Sequence, residues 1–354
     1  MQQNMHLKNM NKCEIKLDLK QELKNLQNKK SQYTIPIFIP HKGCRNECVF
    51  CNQRKISGKL KEVLPEEVDS IIKTHLEYFK NSNRSIEIAF FGGSFTGLET
   101  NLQEKYLSVA NNYIISGKVS GIRISTRPDY ISPRILRLLK KYNVKTIELG
   151  VQSLDNEVLN LAKRGHSKED VIKASRLIKL YGFELGHQIM IGLPGSSIEK
   201  EINTAKEVVK ILPSQLRIYP VYVISPSELY DMYLRGEYIP LEFDEAVYRT
   251  YEVVKKIQET NIKIIRLGLQ STEEICSSNE EIVGPVCDNF AEYVFTRIIR
   301  ERIESEIKKV KEKIEILNLI VPKQYISLVI GPKKANKEYF KQKYEINLNI
   351  KGEL

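Results

Sequence analysis

From Tyr33 onward two periodicities alternate along the chain, and nothing else in the sequence restricts the fold as much. Thr34–Pro40, Ser85–Phe91, Gly121–Thr126, Thr146–Gly150, Phe183–Met190 and Gln215–Tyr222 are short runs rich in β-branched and aromatic residues and read as buried strands. Between them, Pro65–Lys80, Leu102–Ile115, Pro133–Tyr142, Lys168–Tyr181 and Ile198–Ile211 repeat apolar residues at helical spacing beneath a polar face. Strands separated by whole helices cannot pair as hairpins. Right-handed crossovers then make a parallel sheet with its helices outside, either open or curled into a barrel. Ligands of such sheets gather at the carboxyl ends of the strands, so a polar segment just after a strand is a candidate site.

The alternation sets three regions. Residues 1–33 carry apolar residues at Ile15, Leu17 and Leu19 and then a lysine-rich run, and are expected to be a flexible or peripheral extension. The α/β domain spans 34–283: beyond Tyr222 it continues through a loop-rich segment, a helix about Phe243–Glu259 and a further strand, Ile262–Leu267. The Gly284-Pro285 pair marks a boundary. A long helix is predicted from Asn289 to about Lys313, with Phe290, Val294, Ile298, Ile303, Ile307 and Val310 as its apolar stripe and Asp288 as its N-cap. The rest, to Leu354, reads strand, short helix, helix, strand, which makes 284–354 a small C-terminal α+β subdomain.

With 354 residues, 42% hydrophobic and 28% charged, the chain can bury a sizeable core, which excludes a single small module and wholesale disorder. No run approaches the ~18 apolar residues of a membrane span, and Met1–Lys30 has no apolar core of a secretion signal, so a cytoplasmic protein without membrane contact is expected. Lys and Arg total 55 against 44 Asp and Glu, a net charge of +11 that attracts phosphate backbones but that a biased genome also produces. Six cysteines in such a chain are metal or redox groups rather than a disulfide frame.

Three of them, Cys44, Cys48 and Cys51, form a Cys-x3-Cys-x2-Cys loop directly after the first strand. Three thiolates on one short loop can bind three irons of a cubane cluster and leave the fourth iron open to an exogenous ligand. Zinc is the alternative, with His41 completing a Cys3His tetrahedron, and unliganded thiols are a third. Cys13, Cys276 and Cys287 read as ordinary thiols, and the five histidines, His6, His41, His75, His166 and His187, show no nucleophile–base pattern. Each later strand is followed by its own polar segment. The second precedes Phe90-Phe91-Gly92-Gly93-Ser94-Phe95-Thr96, where two glycines let backbone approach a ligand or simply make a turn. Ser125-Thr126-Arg127-Pro128 follows the third, Glu148-Leu149-Gly150-Val151-Gln152-Ser153 the fourth, with Lys163-Arg164-Gly165-His166 beyond it. Gln188-Ile189-Met190-Ile191-Gly192-Leu193-Pro194-Gly195 follows the fifth; Leu216-Arg217-Ile218-Tyr219-Pro220-Val221 and Ser227-Glu228-Leu229-Tyr230 belong to the sixth.

Taken in register across about residues 34–270, these segments resemble the radical S-adenosylmethionine (SAM) superfamily. Within it they are most similar to the branch that contains the Elongator catalytic subunit and the oxygen-independent coproporphyrinogen oxidases. The resemblance implies a partial (β/α)6 barrel, a 4Fe-4S cluster on Cys44, Cys48 and Cys51, and SAM at the open iron. It implies reductive cleavage of SAM to methionine and a 5′-deoxyadenosyl radical, with no side chain acting as a catalytic acid or base. By the same resemblance Gly92, Gly93 and Ser94 receive the methionyl amino group, Ser125, Gln152, Arg164 and Gln188 contact the ribose or carboxylate, and Ile189 and Met190 flank the adenine. The coproporphyrinogen oxidases have acidic ribose ligands where this chain offers Ser125 and Gln188, both able to hydrogen-bond hydroxyls. Arg217, Tyr219 and Tyr222 are candidates for the substrate side. Each of these residues also has a structural reading, as a strand-end anchor, a surface arginine or a core tyrosine.

Elongator catalytic subunits carry an acetyltransferase domain after the barrel and act on the wobble uridine of tRNA. Here about 70 residues follow Gly284, too few for that domain, and the cysteine spacing is tighter than is usual in that enzyme. The tail from Ile320 through Gly331-Pro332-Lys333-Lys334, a helix to Tyr344 and the alternating strand Ile346–Ile350 resembles a KH module, whose GxxG loop between two helices grips nucleic-acid backbone. Lys334 stands at the second glycine, and Lys333 and Lys334 join the substrate-side candidates; the alternative is a docking subdomain with a lysine-rich turn. The expected function is a radical SAM enzyme of RNA (tRNA) modification, with an electron donor such as ferredoxin or flavodoxin. Two alternatives stay open: a radical SAM enzyme on a small molecule, tetrapyrrole or protein, and a noncatalytic RNA-binding protein with a structural metal site.

Overall fold

A computed structural model of the chain describes residues 11–23, 32–39, 43–44, 48–52, 63–79, 84–269 and 282–353. In chain order the elements begin with β1 (Lys12–Lys16), β2 (Gln32–Ile39), α1 (Pro65–Tyr78), β3 (Ser85–Gly92), α2 (Thr100–Ile115), β4 (Gly121–Thr126), α3 (Pro133–Lys141) and β5 (Val144–Gln152). They continue with α4 (Asn156–Leu161), α5 (Lys168–Leu180), β6 (Glu184–Ile191), α6 (Ile198–Ile211), β7 (Gln215–Pro220), β8 (Val223–Ile224) and α7 (Glu228–Leu234). Next come α8 (Phe243–Ile257), β9 (Lys263–Leu267), β10 (Ile282–Val283), α9 (Phe290–Ile307), β11 (Ile316–Val321), α10 (Ile326–Ile330), α11 (Ala335–Tyr344) and β12 (Asn347–Gly352). The chain divides into two compact units, Asn25–Asp288 and the pair of segments Met1–Lys24 with Asn289–Leu354.

In the larger unit seven strands lie side by side in the order β2-β3-β4-β5-β6-β7-β9, every pair parallel, and curl into a half-barrel. One face of β2, β3, β4, β5 and β7 is aliphatic or aromatic and fully buried: Ile35, Ile37, Ile88, Phe90, Ile122, Ile124, Ile147, Leu149, Leu216 and Ile218. Burial of such side chains, worth about 1.5–3 kcal/mol each, is what fixes register here, since a one-residue slip would turn every one of them inward. The helices start where the sequence supplies caps. The Ser167 hydroxyl accepts from the Asp170 N–H at 3.2 Å and the Asp170 carboxylate accepts from the Ser167 N–H at 2.8 Å, a capping box at the head of α5. Ser132, Asp155 and Ser197 cap α3, α4 and α6. At the end of β5 the register to β6 shifts between Gly150 and Gln152, and Gln152 takes a left-handed φ of 65°. Such bulges re-aim side chains beside functional sites. Val223 and Ile224 of β8 pair antiparallel with β10 in a two-stranded ribbon.

The smaller unit is a parallel sheet in the order β1-β11-β12. Residues 12–16, expected in a peripheral extension, are instead its edge strand, with Cys13 opposite Leu317 and Ile15 opposite Leu319. Leu17, Leu19 and Leu23 are buried in the core. The alternation at Ile15, Leu17 and Leu19 read only as an extension, because the partner strand, some three hundred positions away, left no local trace. Phe290, Val294, Ile298, Ile299 and Ile303 supply the buried stripe of α9. Its N-cap is Asn289, without a side-chain cap bond, and not Asp288. Between α10 and α11, Lys333 and Lys334 are exposed and both left-handed, at φ 51° and 62°. Among the described residues no helix is long and apolar enough to cross a membrane.

Candidate active site

The cysteine loop leaves β2 at the carboxyl edge of the sheet and is held there by backbone. The Val49 N–H donates to the Ala162 carbonyl at 3.3 Å, and the Val49 carbonyl accepts from the Leu229 N–H at 2.8 Å. Val49 itself is buried among Val158, Ala162, Leu193, Val221, Val223 and Leu229. The Asn52 amide donates to the Pro226 carbonyl at 2.8 Å. At the front of the loop Gly43 lies flat against the turn after β3: a Cβ on Gly43 would sit 2.1 Å from the Ser94 carbonyl oxygen, and one on Gly97 would sit 2.0 Å from that of Gly43. Only glycine permits this backbone-on-backbone approach. It brings Cys44 Sγ within 3.3 Å of the Ser94 hydroxyl.

Cys48 is the buried member of the set, Cys51 is half-buried and Cys44 exposed. Arg164, arriving from the loop after α4, donates from Nη1 to Cys48 Sγ at 3.0 Å and from Nη2 to the Gly150 carbonyl at 2.6 Å. It is 6% exposed, which removes the surface reading, and its Nε has no partner in the protein. Arg127 at the end of β4 is equally buried: its Nε and Nη2 are taken by the Asp129 carboxylate at 3.0 Å each, while its Nη1 has no partner. Burial works against the Arg127 charge, but Asp129 and the nearby Cys48 thiol outweigh it and raise its pKa. Two buried guanidiniums with spare donors beside three thiols fit a group rich in sulfide and carboxylate acceptors. Among the described residues no three His, Cys, Asp or Glu side chains converge on a single point; a cubane asks only that each thiolate reach its own iron. His41 and Cys276 lie outside the described residues.

The SAM-side candidates collect along the same edge. Gly92 has φ 102°, the Gly93 N–H donates to the Ile39 carbonyl at 2.8 Å, and Ser94 is buried. The Gln188 amide donates to the Gln152 side-chain carbonyl at 3.3 Å, and Met190 packs half-buried against the cluster around Val49. Ser125 lies opposite Glu148 on the inner face. Tyr222 does not join Arg217 and Tyr219: it is 4% exposed, beside the β8–β10 ribbon, where burial pushes its hydroxyl up to about 12. Lys333 and Lys334 belong to the smaller unit.

The concave face of the sheet holds two residues that the sequence reading passed over, Glu87 and Arg123, and ties them to Glu148 and Arg217. Arg123 donates from Nε to Glu87 at 2.9 Å and from Nη1 to Glu148 at 3.3 Å. Glu148 also accepts from Arg217 Nε at 2.8 Å, and Arg217 Nη1 donates to the Tyr219 hydroxyl at 3.2 Å. Phe91 lies 5.5 Å beneath the Arg217 guanidinium. Burial alone would lower the Arg217 pKa, but Glu148 and Tyr219 hold it above the usual guanidinium value. The signal was present in the sequence: an inward charge, alternating in sign, interrupts the apolar run of β3, β4, β5 and β7. His166 is kept neutral, its pKa lowered to about 3 by burial and by Arg164 and Arg127. A cleft of about 790 Å³ lined by Lys73, Arg84 and Lys118 lies at the opposite, amino edge of the strands, away from the cysteines.

A three-cysteine loop docked on the carboxyl edge of an incomplete parallel barrel, with candidate SAM-side residues at successive strand ends, defines a radical SAM enzyme. The chain belongs to the radical SAM superfamily: the superfamily's family model matches residues 38–208, and the Radical_SAM C-terminal domain matches residues 213–300. Over 192 residues it is 36% identical to the tRNA uridine(34) acetyltransferase of Methanocaldococcus infernus, covering 49% of this chain and 36% of that protein. Elongator complex protein 3 of Homo sapiens is 28% identical over 202 residues, covering 51% and 37%. An uncharacterized protein of Methanocaldococcus jannaschii is 29% identical over 229 residues, covering 62% of this chain and 70% of that one. Among solved structures, Methanocaldococcus infernus Elp3 with an N-terminal deletion superposes with a TM-score of 0.61 at 25% identity, over 80% of this chain and 65% of that one. The chain thus spans little more than a third of the length of the acetyltransferases it matches.

Proposed function

We propose that this radical SAM enzyme acts on RNA, with tRNA as its substrate, in a cytoplasmic compartment and with ferredoxin or flavodoxin as electron donor. The observation that carries the chemistry is the buried Cys48 held by Arg164 on a loop whose backbone is anchored on both sides. Once bound at Cys44, Cys48 and Cys51, a 4Fe-4S cluster with SAM supplies one-electron cleavage of the sulfonium and hence a 5′-deoxyadenosyl radical. The chain's own residues bind, orient and exclude. Arg164 and Arg127 offer their spare nitrogens to acceptors at the cluster or the SAM carboxylate, and the turn at Gly92, Gly93 and Ser94 receives the amino group. Gln152, Gln188 and Ser125 address the ribose, with Met190 beside the adenine. Beneath them Arg217 and Tyr219 face the space where a substrate carbon must stand, in a wall of paired charges that is preorganised before substrate arrives. RNA as substrate rests on the similarity to tRNA uridine(34) acetyltransferases, on the net charge of +11 and on the lysine turn at Lys333 and Lys334.

Anaerobic reconstitution should load about four irons per chain, and dithionite with SAM should then release 5′-deoxyadenosine. C48A should hold little iron and release none. A fully loaded wild-type protein that makes no 5′-deoxyadenosine sinks the chemistry. The substrate is tested separately by mass spectrometry of tRNA nucleosides from cells with and without the gene: identical profiles alongside one accumulating metabolite would move the reaction to a small molecule.

A further inference from the structure

The charge network of the inner face does not end in balance. Running across the strands, Glu87, Arg123, Glu148 and Arg217 alternate in sign, and each touches the next. The next strand continues the row with a second arginine: Arg266 on β9 stands in register with Arg217 on β7. Because strand neighbours in register project to the same face, Arg266 shares the concave side. Its side chain makes one hydrogen bond, from Nε to the Gly268 carbonyl at 3.3 Å, and no carboxylate among the described residues pairs with it. Burial holds its pKa below the usual guanidinium value; Tyr219 opposes that and Arg217 adds to it. A half-buried cation beside a like charge is costly unless an anion arrives. Nearby, the Tyr219 hydroxyl accepts from Arg217 and keeps its own proton to donate.

We infer that Arg266, with the Tyr219 hydroxyl and the outer edge of Arg217, is the receptor for an oxyanion of the substrate, and that this oxyanion is the phosphate of the nucleotide that enters the barrel. The inference rests on the RNA reading above. An arginine fork takes two phosphate oxygens at once, and the pair of strands β7 and β9 closes one side of the half-barrel, where a nucleotide drawn out of a strand would have its backbone. The phosphate would fix how deep the base and sugar reach toward the carboxyl edge. It would also neutralise a cation that no carboxylate among the described residues pairs with.

The test titrates a labelled tRNA transcript with the wild-type protein, R266Q and R266K by fluorescence anisotropy at several salt concentrations. R266Q should bind roughly tenfold more weakly, and its logarithmic salt slope should shrink by about one, while R266K keeps most of both. Thermal melting separates a structural role: since no carboxylate among the described residues pairs with Arg266, R266Q should melt at the wild-type temperature or above it. Competition by uridine 5′-monophosphate, uridine and acetate identifies the anion. The monophosphate should outcompete uridine on the wild type and lose that advantage on R266Q. Unchanged affinity and salt slope in R266Q overturn the inference and leave the RNA reading standing, whereas a wild type without RNA affinity at low salt overturns both. Acetate competing as well as the monophosphate rules out phosphate, and melting lowered alike in R266Q and R266K makes Arg266 a structural residue.

Discussion

Glu148 carries two buried arginines at once, and its environment sets what its loss must cost. Its carboxylate is 4% exposed and lies 3.3 Å from Arg123 and 2.8 Å from Arg217. Replacing Glu148 by Gln keeps the shape and removes the charge, so Arg123 keeps only Glu87 and Arg217 is left with a hydroxyl. Removing one partner of a buried pair costs about 3–5 kcal/mol, mainly through the charge left behind. E148Q should therefore lower the urea-unfolding free energy by that amount, whereas E157Q, which breaks the exposed pair to Lys200, should change it by less than about 1 kcal/mol. Equal effects would mean that the inner-face network is solvated and contributes no more than a surface pair. At this scale the cysteines were legible from spacing alone, because chemistry fixes the distance between ligands along a loop. Arg164 was legible as a SAM-side candidate by resemblance, but not as a partner of Cys48. Its bond to Cys48 Sγ joins positions 116 apart in sequence, and no periodicity encodes such a pair.

Helix α6 enters the site through Glu201, which reaches back over the Gly192-Leu193-Pro194-Gly195 turn after β6. The Glu201 carboxylate accepts from the Gly192 N–H at 2.7 Å and from the Ser196 hydroxyl at 3.0 Å, and Tyr238 donates to the Gly192 carbonyl at 2.6 Å. Burial raises the Glu201 pKa to about 7 against these bonds and the nearby Arg249. The folded state therefore holds a proton that the unfolded chain has already lost. Between pH 4.5, the ordinary glutamate value, and about 7, the unfolded state binds fewer protons, so stability from this group is full at the acid end and falls as pH rises. Across that window the loss is roughly 3 kcal/mol. E201Q, always neutral, should match the wild type near pH 4.5 and exceed it progressively up to about pH 7, as read from denaturant midpoints. A difference between the two that does not vary with pH would place Glu201 as an ordinary ionised carboxylate. The long elements were legible because several turns or alternations repeat one pattern: α6 falls where the apolar spacing puts it, at Ile198–Ile211. The six-residue α4 is too short to show a period, and only its Asp155 cap could have announced it. The extension of β5 to Gln152 depends on a bulge against β6, which is a property of the pair and not of either strand.

Residues 12–23 and 289–353 lie in the same unit, and this connectivity has a consequence for stability that neither segment shows alone. Residues 12–16 contribute an entire edge strand to a sheet whose other strands lie beyond residue 315, and Leu17, Leu19 and Leu23 fill the core of that unit. The parallel alternation of the half-barrel was legible because each strand is followed by its crossover helix and then by its neighbour. The three-stranded sheet was not, since its edge partner precedes the whole half-barrel in sequence, and the alternation at Ile15, Leu17 and Leu19 read as an extension. Each buried leucine is worth about 1.5–3 kcal/mol, and a unit of this size has only about 5–10 kcal/mol of net stability. Deleting residues 1–23 should therefore leave the segment from Asn289 onward unable to hold its sheet, while the half-barrel, whose core lies within Asn25–Asp288, keeps its fold. Limited trypsin digestion reads the two separately. In the deleted protein cleavage at lysines and arginines between residues 297 and 351 should accelerate at least about tenfold, the factor for 1.4 kcal/mol of lost stability when opening is fast relative to cutting. Cleavage within residues 84–269 should keep its wild-type rate. Equal rates in the C-terminal segment with and without residues 1–23 would show that β11, β12 and α9 hold together unaided and that β1 only decorates their edge.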